Sequence, residues 1–174
     1  NGKEYEVDCI IFATGFEVGT EYSRRAGYQI HGVDGKTVTQ KWQNGLATFH
    51  GMHSRGFPNA FFFGPAQSGF TATYTYSLDE QSIHLAYILE KIIDKGATRV
   101  EASQEAEEQW IQTIIEKARL TADFQENCTP GYYNNEGKIN QTPQNNTYGG
   151  GPIEFFSLMK KWRSKDSLEG LEIN

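Results

Sequence analysis

Sulfur is scarce in this chain of 174 residues: two cysteines, Cys9 and Cys128, and two methionines. Neither cysteine belongs to a CxxC pair, so neither a dithiol redox motif nor a zinc site is expected, and a reducing, cytoplasmic compartment is the expectation. Long apolar runs are lacking as well; none approaches the ~20 residues that a membrane-spanning helix needs. The N-terminus does not have the charged-then-apolar layout of a secretory signal. Basic charge is thin, with 16 Lys and Arg against 22 Asp and Glu. Without a dense Lys/Arg stripe, nucleic-acid binding, which rests on phosphate neutralisation, is not expected. There is no internal repeat, no GxGxxG phosphate-binding turn and no Ser/His/Asp set whose spacing suggests a hydrolase.

Hydrophobic residues make up 37% and charged residues 22% of the chain, enough for a soluble domain with a real core. Aromatics reach 13%, many of them outside periodic runs, where they either line a flat apolar pocket or cover a core. The chain opens without Met on Asn1-Gly2, a hairpin dipeptide with only one arm. A longer protein, with a further part preceding Asn1, is the expectation.

Along the chain, Tyr5, Val7 and Cys9 alternate with polar residues and lead into Ile10-Ile11-Phe12, the pattern of a strand entering a core. Residues 28–38 carry Asp34-Gly35 between two β-prone pieces and read as a hairpin. A second short buried strand is expected at "NAFFFG", Asn59 to Gly64. Ser77 and Glu80 have capping-box spacing, Gly96 sits at a helix stop, and Leu85, Ile88, Leu89 and Ile92 form an apolar stripe between them. A second helix is expected from about Gln104 to Leu120, with Trp110, Ile111, Ile114, Ile115 and Ala118 inward and Glu105, Glu107 and Glu108 on the wet face. Residues 125–151, rich in Asn, Gly and Tyr, have no periodicity, and a loop of that length is usually functional or mobile. Pro152 then opens a last helix with Phe155, Phe156, Met159 and Trp162 on its apolar face.

Both expected strands end in small residues, Ala13-Thr14-Gly15 and Gly64-Pro65-Ala66. Ligands of open α/β sheets collect beyond the carboxyl ends of strands. Small residues there let a backbone approach a flat cofactor, and a helix following the second strand would aim its positive end at the same place. The chemistry suits a dinucleotide or a flavin; a plain turn remains the alternative for either strand end taken alone.

The phrases together carry a resemblance. "YEVDCIIFATGF" and "GFPNAFFFGPAQSG" resemble segments of flavin-containing monooxygenases. "TQKW", "DEQ", "HLAYIL", "EEQW" and "YGGGPIEFFSLMKKWR" with "LEGLEI" are similar to the C-terminal third of the Baeyer–Villiger type. The resemblance implies an α/β fold, the C-terminal portion of a Rossmann-like flavoprotein with two dinucleotide-binding domains for FAD and NAD(P). Residues 1–124 would then complete the FAD domain, and 125–174 would form a mobile loop and a helix packed on it. It implies FAD and NADPH as cofactors, a ketone and O2 as substrates, and an ester or lactone as product. Ala13, Thr14, Gly15, Gly64, Pro65, Thr73 and Tyr74 would approach FAD, and the segment Thr71–Tyr76 leading into the helix would stabilise the charge of its reduced form. Gln67, Ser68, Gly69, Phe70 and Tyr132 would lie at the substrate pocket, and Trp42 towards NADP unless it merely packs. The family's FxGxxxHxxxW signature and active-site Arg are not in these residues, so the segment by itself is expected to be inactive and to need the part before Asn1. Related enzymes that oxygenate nitrogen or sulfur, and a non-catalytic interaction module, are the competing readings.

The remaining polar residues invite simpler explanations. His50 and His53 flank a Gly51 turn without a third ligand pattern, so no metal is expected. His84 reads as a surface or core histidine, Tyr132 and Tyr133 as pocket or core cap, and Phe155 and Phe156 as core.

Overall fold

The computed structural model describes residues 2–15, 22–118, 129 and 142–174. In chain order the elements are α1 (Tyr22–Ala26), α2 (Val38–Lys41), α3 (Tyr74–Asp94), β1 (Val100–Ala102), α4 (Gln104–Lys117), α5 (Pro152–Ser164) and β2 (Leu171–Ile173).

α3 is the longest element, and its two ends obey different rules. At the C-terminal end Gly96 adopts φ 64°. Its N–H donates to Ile93 O, and that of Ala97 donates to Ile92 O. These are the paired bonds of a Schellman stop, for which a residue free to enter the left-handed region is required. At the N-terminal end the cap position lies four residues before the expected Ser77. Thr73 occupies the N-cap position without a side-chain capping bond. Ser77 is buried, and its hydroxyl accepts the Thr71 N–H instead, while Glu80 accepts from the Tyr76 hydroxyl.

The buried face of α3 is Ser77, Gln81, His84, Ile88 and Ile92. Ile88 and Ile92 match the expected stripe. Leu89 is instead exposed, since it lies one residue, about 100° of helix rotation, beyond Ile88 and off the buried face. Gln81 Nε2 donates to Gly64 O at 3.0 Å.

α3, α4 and α5 share one core. Ile88 and Ile92, Trp110 and Ile114, and Phe155, Phe156, Met159 and Trp162 are buried together with Phe49 and Tyr148. Phe155 and Phe156 are thus core residues. β1 and β2 close the edge of this core as an antiparallel pair, Val100 opposite Ile173 and Ala102 opposite Leu171. Glu101 faces Glu172 across the ladder. Like charges so placed repel, but Arg99 pairs with Glu101 at 2.6 Å and Arg55 with Glu172 at 2.5 Å. Burial pushes the Glu101 carboxyl upward, yet the Arg99 guanidinium and the Gly56 N–H outweigh it and hold the group below its ordinary value.

Three expectations need correction. Residues 2–15 form an exposed coil rather than a strand, with Ile11 and Phe12 each 84% exposed. A strand must give its N–H and C=O groups to neighbours, and none of the described residues pairs with these. Asn59 to Gly64 is likewise not a strand; Asn59 N–H donates to Val100 O and Phe62 N–H to Met52 O as separate bonds. The 28–38 hairpin is reduced to a single His31–Thr37 bridge around Asp34 and Gly35, both at positive φ.

Glu107 needs a further correction: it is a buried residue on the face of α4 expected to be wet. Its carboxylate accepts Lys41 Nζ at 2.6 Å and the Arg55 N–H at 2.7 Å, and so ties α2 and the 54–57 turn to α4. Glu107→Ala leaves a mostly buried ammonium and a backbone donor without partners. A loss of about 3 kcal/mol is expected, read as a lower midpoint in urea at constant slope.

Candidate functional site

The chain from Gly64 to Tyr74 turns back from the core and opens α3. Gly64 sits at the outer rim: a Cβ built there would meet no atom within 4 Å. Its carbonyl is tied down from two sides, accepting Ser68 Oγ at 2.5 Å and Gln81 Nε2 at 3.0 Å. A rigid backbone beside open space is what a flat ligand needs for close approach.

Beyond it Thr73 and Tyr74 are exposed at the start of a 21-residue helix. The N–H groups of a first turn have no partners inside their own helix, and the dipole makes that end attractive to negative charge. Phe70, 49% exposed, stands 5.9 Å from the Tyr74 ring. Burial raises the Tyr74 hydroxyl above its ordinary value, with Arg25 pulling the other way. The residues present therefore fit a flat, partly anionic group such as reduced flavin.

Gln67 and Ser68 turn inward. Both side chains are fully buried and hydrogen-bonded to the protein, and Gly69 lies against the Phe155 ring. Phe70 is the exposed member of that group. Ala13, Thr14 and Gly15 are exposed along the N-terminal coil rather than packed beneath Gly64. Trp42 is half-buried against Tyr22 and Phe62, and its indole N–H donates to Ala47 O at 3.0 Å. Tyr132 lies outside the described residues, as do Tyr133, Cys128 and the 124/125 domain boundary. Gln81 and Thr48, which anchor the site from behind, were not singled out by sequence. The distance along the chain from 81 to 64 and from 48 to 67 leaves no local pattern to find.

Among the described residues no group of three His, Cys, Asp or Glu is placed to hold a metal, and no helix is long and apolar enough to cross a membrane. His50, His53 and His84 are all buried. His50 stacks on Phe49 and meets the edges of His84, Trp110 and Trp162.

No protein-family model matches the chain. Over 99% of its length it is 46% identical to neopentalenolactone D synthase of Streptomyces avermitilis, and 40% identical to a Baeyer–Villiger monooxygenase of Stachybotrys chlorohalonatus. It covers 30% and 28% of those two proteins. Its fold superposes on the polycyclic ketone monooxygenase of Thermothelomyces thermophila with a TM-score of 0.80 and 33% identity, over 88% of this chain and 25% of that one. The chain corresponds to a C-terminal portion of Baeyer–Villiger monooxygenases. It spans less than a third of the length of these curated relatives. The structural neighbours have two dinucleotide-binding domains, and the mixture of helix and strand expected for the end of such a fold is borne out.

The three core histidines are expected to make the fold acid-sensitive. Burial pushes His53 down to about 4 and His84 to about 3, and holds His50 well below its ordinary value, with neighbouring imidazoles adding to the last two. The folded state keeps all three neutral, whereas the unfolded chain takes up protons below about pH 6.5. Their contribution is therefore complete above pH 6.5 and is lost as pH falls from there towards 4. Each group adds about 1.4 kcal/mol per pH unit to that slope. Urea midpoints between pH 7.5 and 5, a range above most carboxylate titration, should fall steadily, and His53→Phe should remove one proton's share of the slope.

Proposed function

We propose that this chain forms the C-terminal part of an FAD- and NADPH-dependent Baeyer–Villiger monooxygenase, Rossmann-like in architecture and cytoplasmic. The whole enzyme would insert one oxygen atom from O2 next to a ketone carbonyl and release an ester or lactone. The observation that carries this reading is the 40% identity to a named Baeyer–Villiger monooxygenase across 99% of the chain. Structural neighbours bound to FAD and NADP support the cofactor assignment.

Bound FAD would supply the redox and oxygen chemistry. This chain's part is to seat and orient it. Gly64 and Pro65 offer a close backbone approach, and Thr73 and Tyr74 at the start of α3 stabilise a negative edge. Ala13, Thr14 and Gly15 are assigned to the same cofactor from the other side. Phe70 presents an apolar face to the ketone, held by Gln67, Ser68 and Gly69, with Tyr132 assigned to that pocket too. Trp42 is assigned to the NADP side. Such an arrangement excludes water from the reacting groups once it is closed.

The test uses the full-length protein. It is expected to purify yellow and to consume NADPH when a cyclic ketone is added, with one lactone formed per NADPH by mass spectrometry. Residues 1–174 alone are expected to consume none. A colourless protein, or a yellow one that oxidises only amines or sulfides, overturns the reading.

A further inference from the structure

Gln67 is a polar side chain that has left the solvent altogether, with 0% exposure. Its backbone sits at φ 55°, in the left-handed region that costs a non-glycine residue roughly 1 kcal/mol or more. Every polar group it owns has a partner. The side-chain Oε1 accepts the Thr48 hydroxyl. Nε2 donates to Leu46 O at 2.7 Å and to Gln144 O at 2.8 Å. The backbone N–H donates to Asn146 O at 2.8 Å, and the carbonyl accepts the Trp110 indole N–H at 3.1 Å.

The neighbouring bonds repeat the same linkage. Ser68 O accepts the Tyr148 N–H at 3.0 Å, Gln144 Nε2 donates to Leu46 O at 2.8 Å, and Asn145 Oδ1 accepts the Leu46 N–H at 2.7 Å. Three stretches remote in sequence, 46–48, 64–70 and 144–148, thus converge on one carboxamide. Of the middle stretch Phe70 is exposed, Gly64, Pro65 and Ala66 are half-buried, and residues 67–69 are buried.

We propose that Gln67 is a positioning residue: by locking the Gly64–Phe70 turn to residues 46–48 and 144–148, it sets where the Gly64 rim and the Phe70 ring stand towards flavin and ketone. It acts through Phe70 and touches neither ligand. The proposal rests on the monooxygenase reading for what the turn faces, and on the hydrogen bonds alone for the lock. An apolar side chain would leave Leu46 O, Gln144 O and the Thr48 hydroxyl with fewer partners, and each buried hydrogen bond lost costs about 1 kcal/mol or more. A Glu would keep the Thr48 bond and turn both donated bonds into repulsions.

The experiment compares full-length wild type with Gln67→Gly and Gln67→Glu. Glycine accepts φ 55° without strain, so Gln67→Gly removes the side chain while relieving the backbone and keeps a folded protein for measurement. Hydrogen exchange is read at the amides of Leu46, Gln67 and Tyr148, together with the visible flavin band and the KM and kcat for a cyclic ketone. In Gln67→Gly, exchange is expected to quicken about tenfold or more at all three amides, tenfold corresponding to about 1.4 kcal/mol. The amides of α3 and β1 should keep the wild-type rate. The flavin band should shift, and ketone KM should rise severalfold more than kcat falls. Gln67→Glu should show the same pattern more strongly.

Faster exchange confined to residue 67, or spread evenly over the molecule, overturns the lock. An unchanged flavin band and ketone KM in a protein with quickened exchange overturns the positioning role. A wild-type protein without flavin ends the monooxygenase reading and with it the positioning role, while the exchange pattern still decides the lock.

Discussion

Trp110 lies flat on Tyr148, with 5.7 Å between ring centroids and 8° between planes, and the C-terminal part of the chain is arranged around that stack. The pair is worth about 1 kcal/mol beyond its buried area, but its geometry matters more than its energy. Trp110 belongs to α4, Tyr148 to the segment that returns before α5, and Phe155 of α5 leans on both rings. The same indole sends its N–H to Gln67 O, so the stack also fixes the turn that carries the candidate site. Gly149 follows immediately, and a side chain there would drive its Cβ to 1.6 Å from Lys117 O. The approach of the returning segment to the end of α4 is thus possible only with glycine. Lys117 strengthens the junction by pairing with Glu154 at 2.8 Å and lying over the Tyr148 ring.

Polar groups decide what the apolar framework leaves open. α4 and α5 bury aliphatic and aromatic faces, and such faces are fixed by volume and water exclusion. The 46–70 region buries Phe49, Met52, Phe57 and Phe62, and its course is fixed in addition by hydrogen bonds to Glu107, Gln67 and Gln81. A network of this kind is rigid when every member is satisfied and costly when one is removed. That property suits a site in which a backbone must stand at a fixed distance from a ligand.

How much of this was legible in the sequence follows from the same division. Trp110 and Ile114 of α4, the apolar face of α5 and the Gly96 stop of α3 were readable because their signals lie within one helix, whereas Ile115, expected inward, is exposed. The start of α3 was not, since Ser77 finds a partner in Thr71 before it can cap. Glu107 looked solvated because its partners, Lys41 and Arg55, are more than fifty residues away in the chain. The run from Tyr5 to Phe12 has the composition of a strand, but strand character is completed only by neighbours, and none of the described residues supplies them. β1 and β2, of three residues each, are too short for alternation to announce them. At the candidate site the small residues and the helix start were visible as chemistry, whereas the inward turn of Gln67 and Ser68 depends on residues 46–48 and 144–148.

The pairing of β1 with β2 has a consequence for synthesis. A ribosome delivers Val100–Ala102 long before Leu171–Ile173, so until the latter emerge β1 lacks its partner and presents a bare edge that another nascent polypeptide could join. The charged side chains around this edge, Glu101 paired with Arg99 and the nearby Arg55, are of the kind that discourages such pairing during the interval. They oppose promiscuous strand addition while the true partner is still unmade.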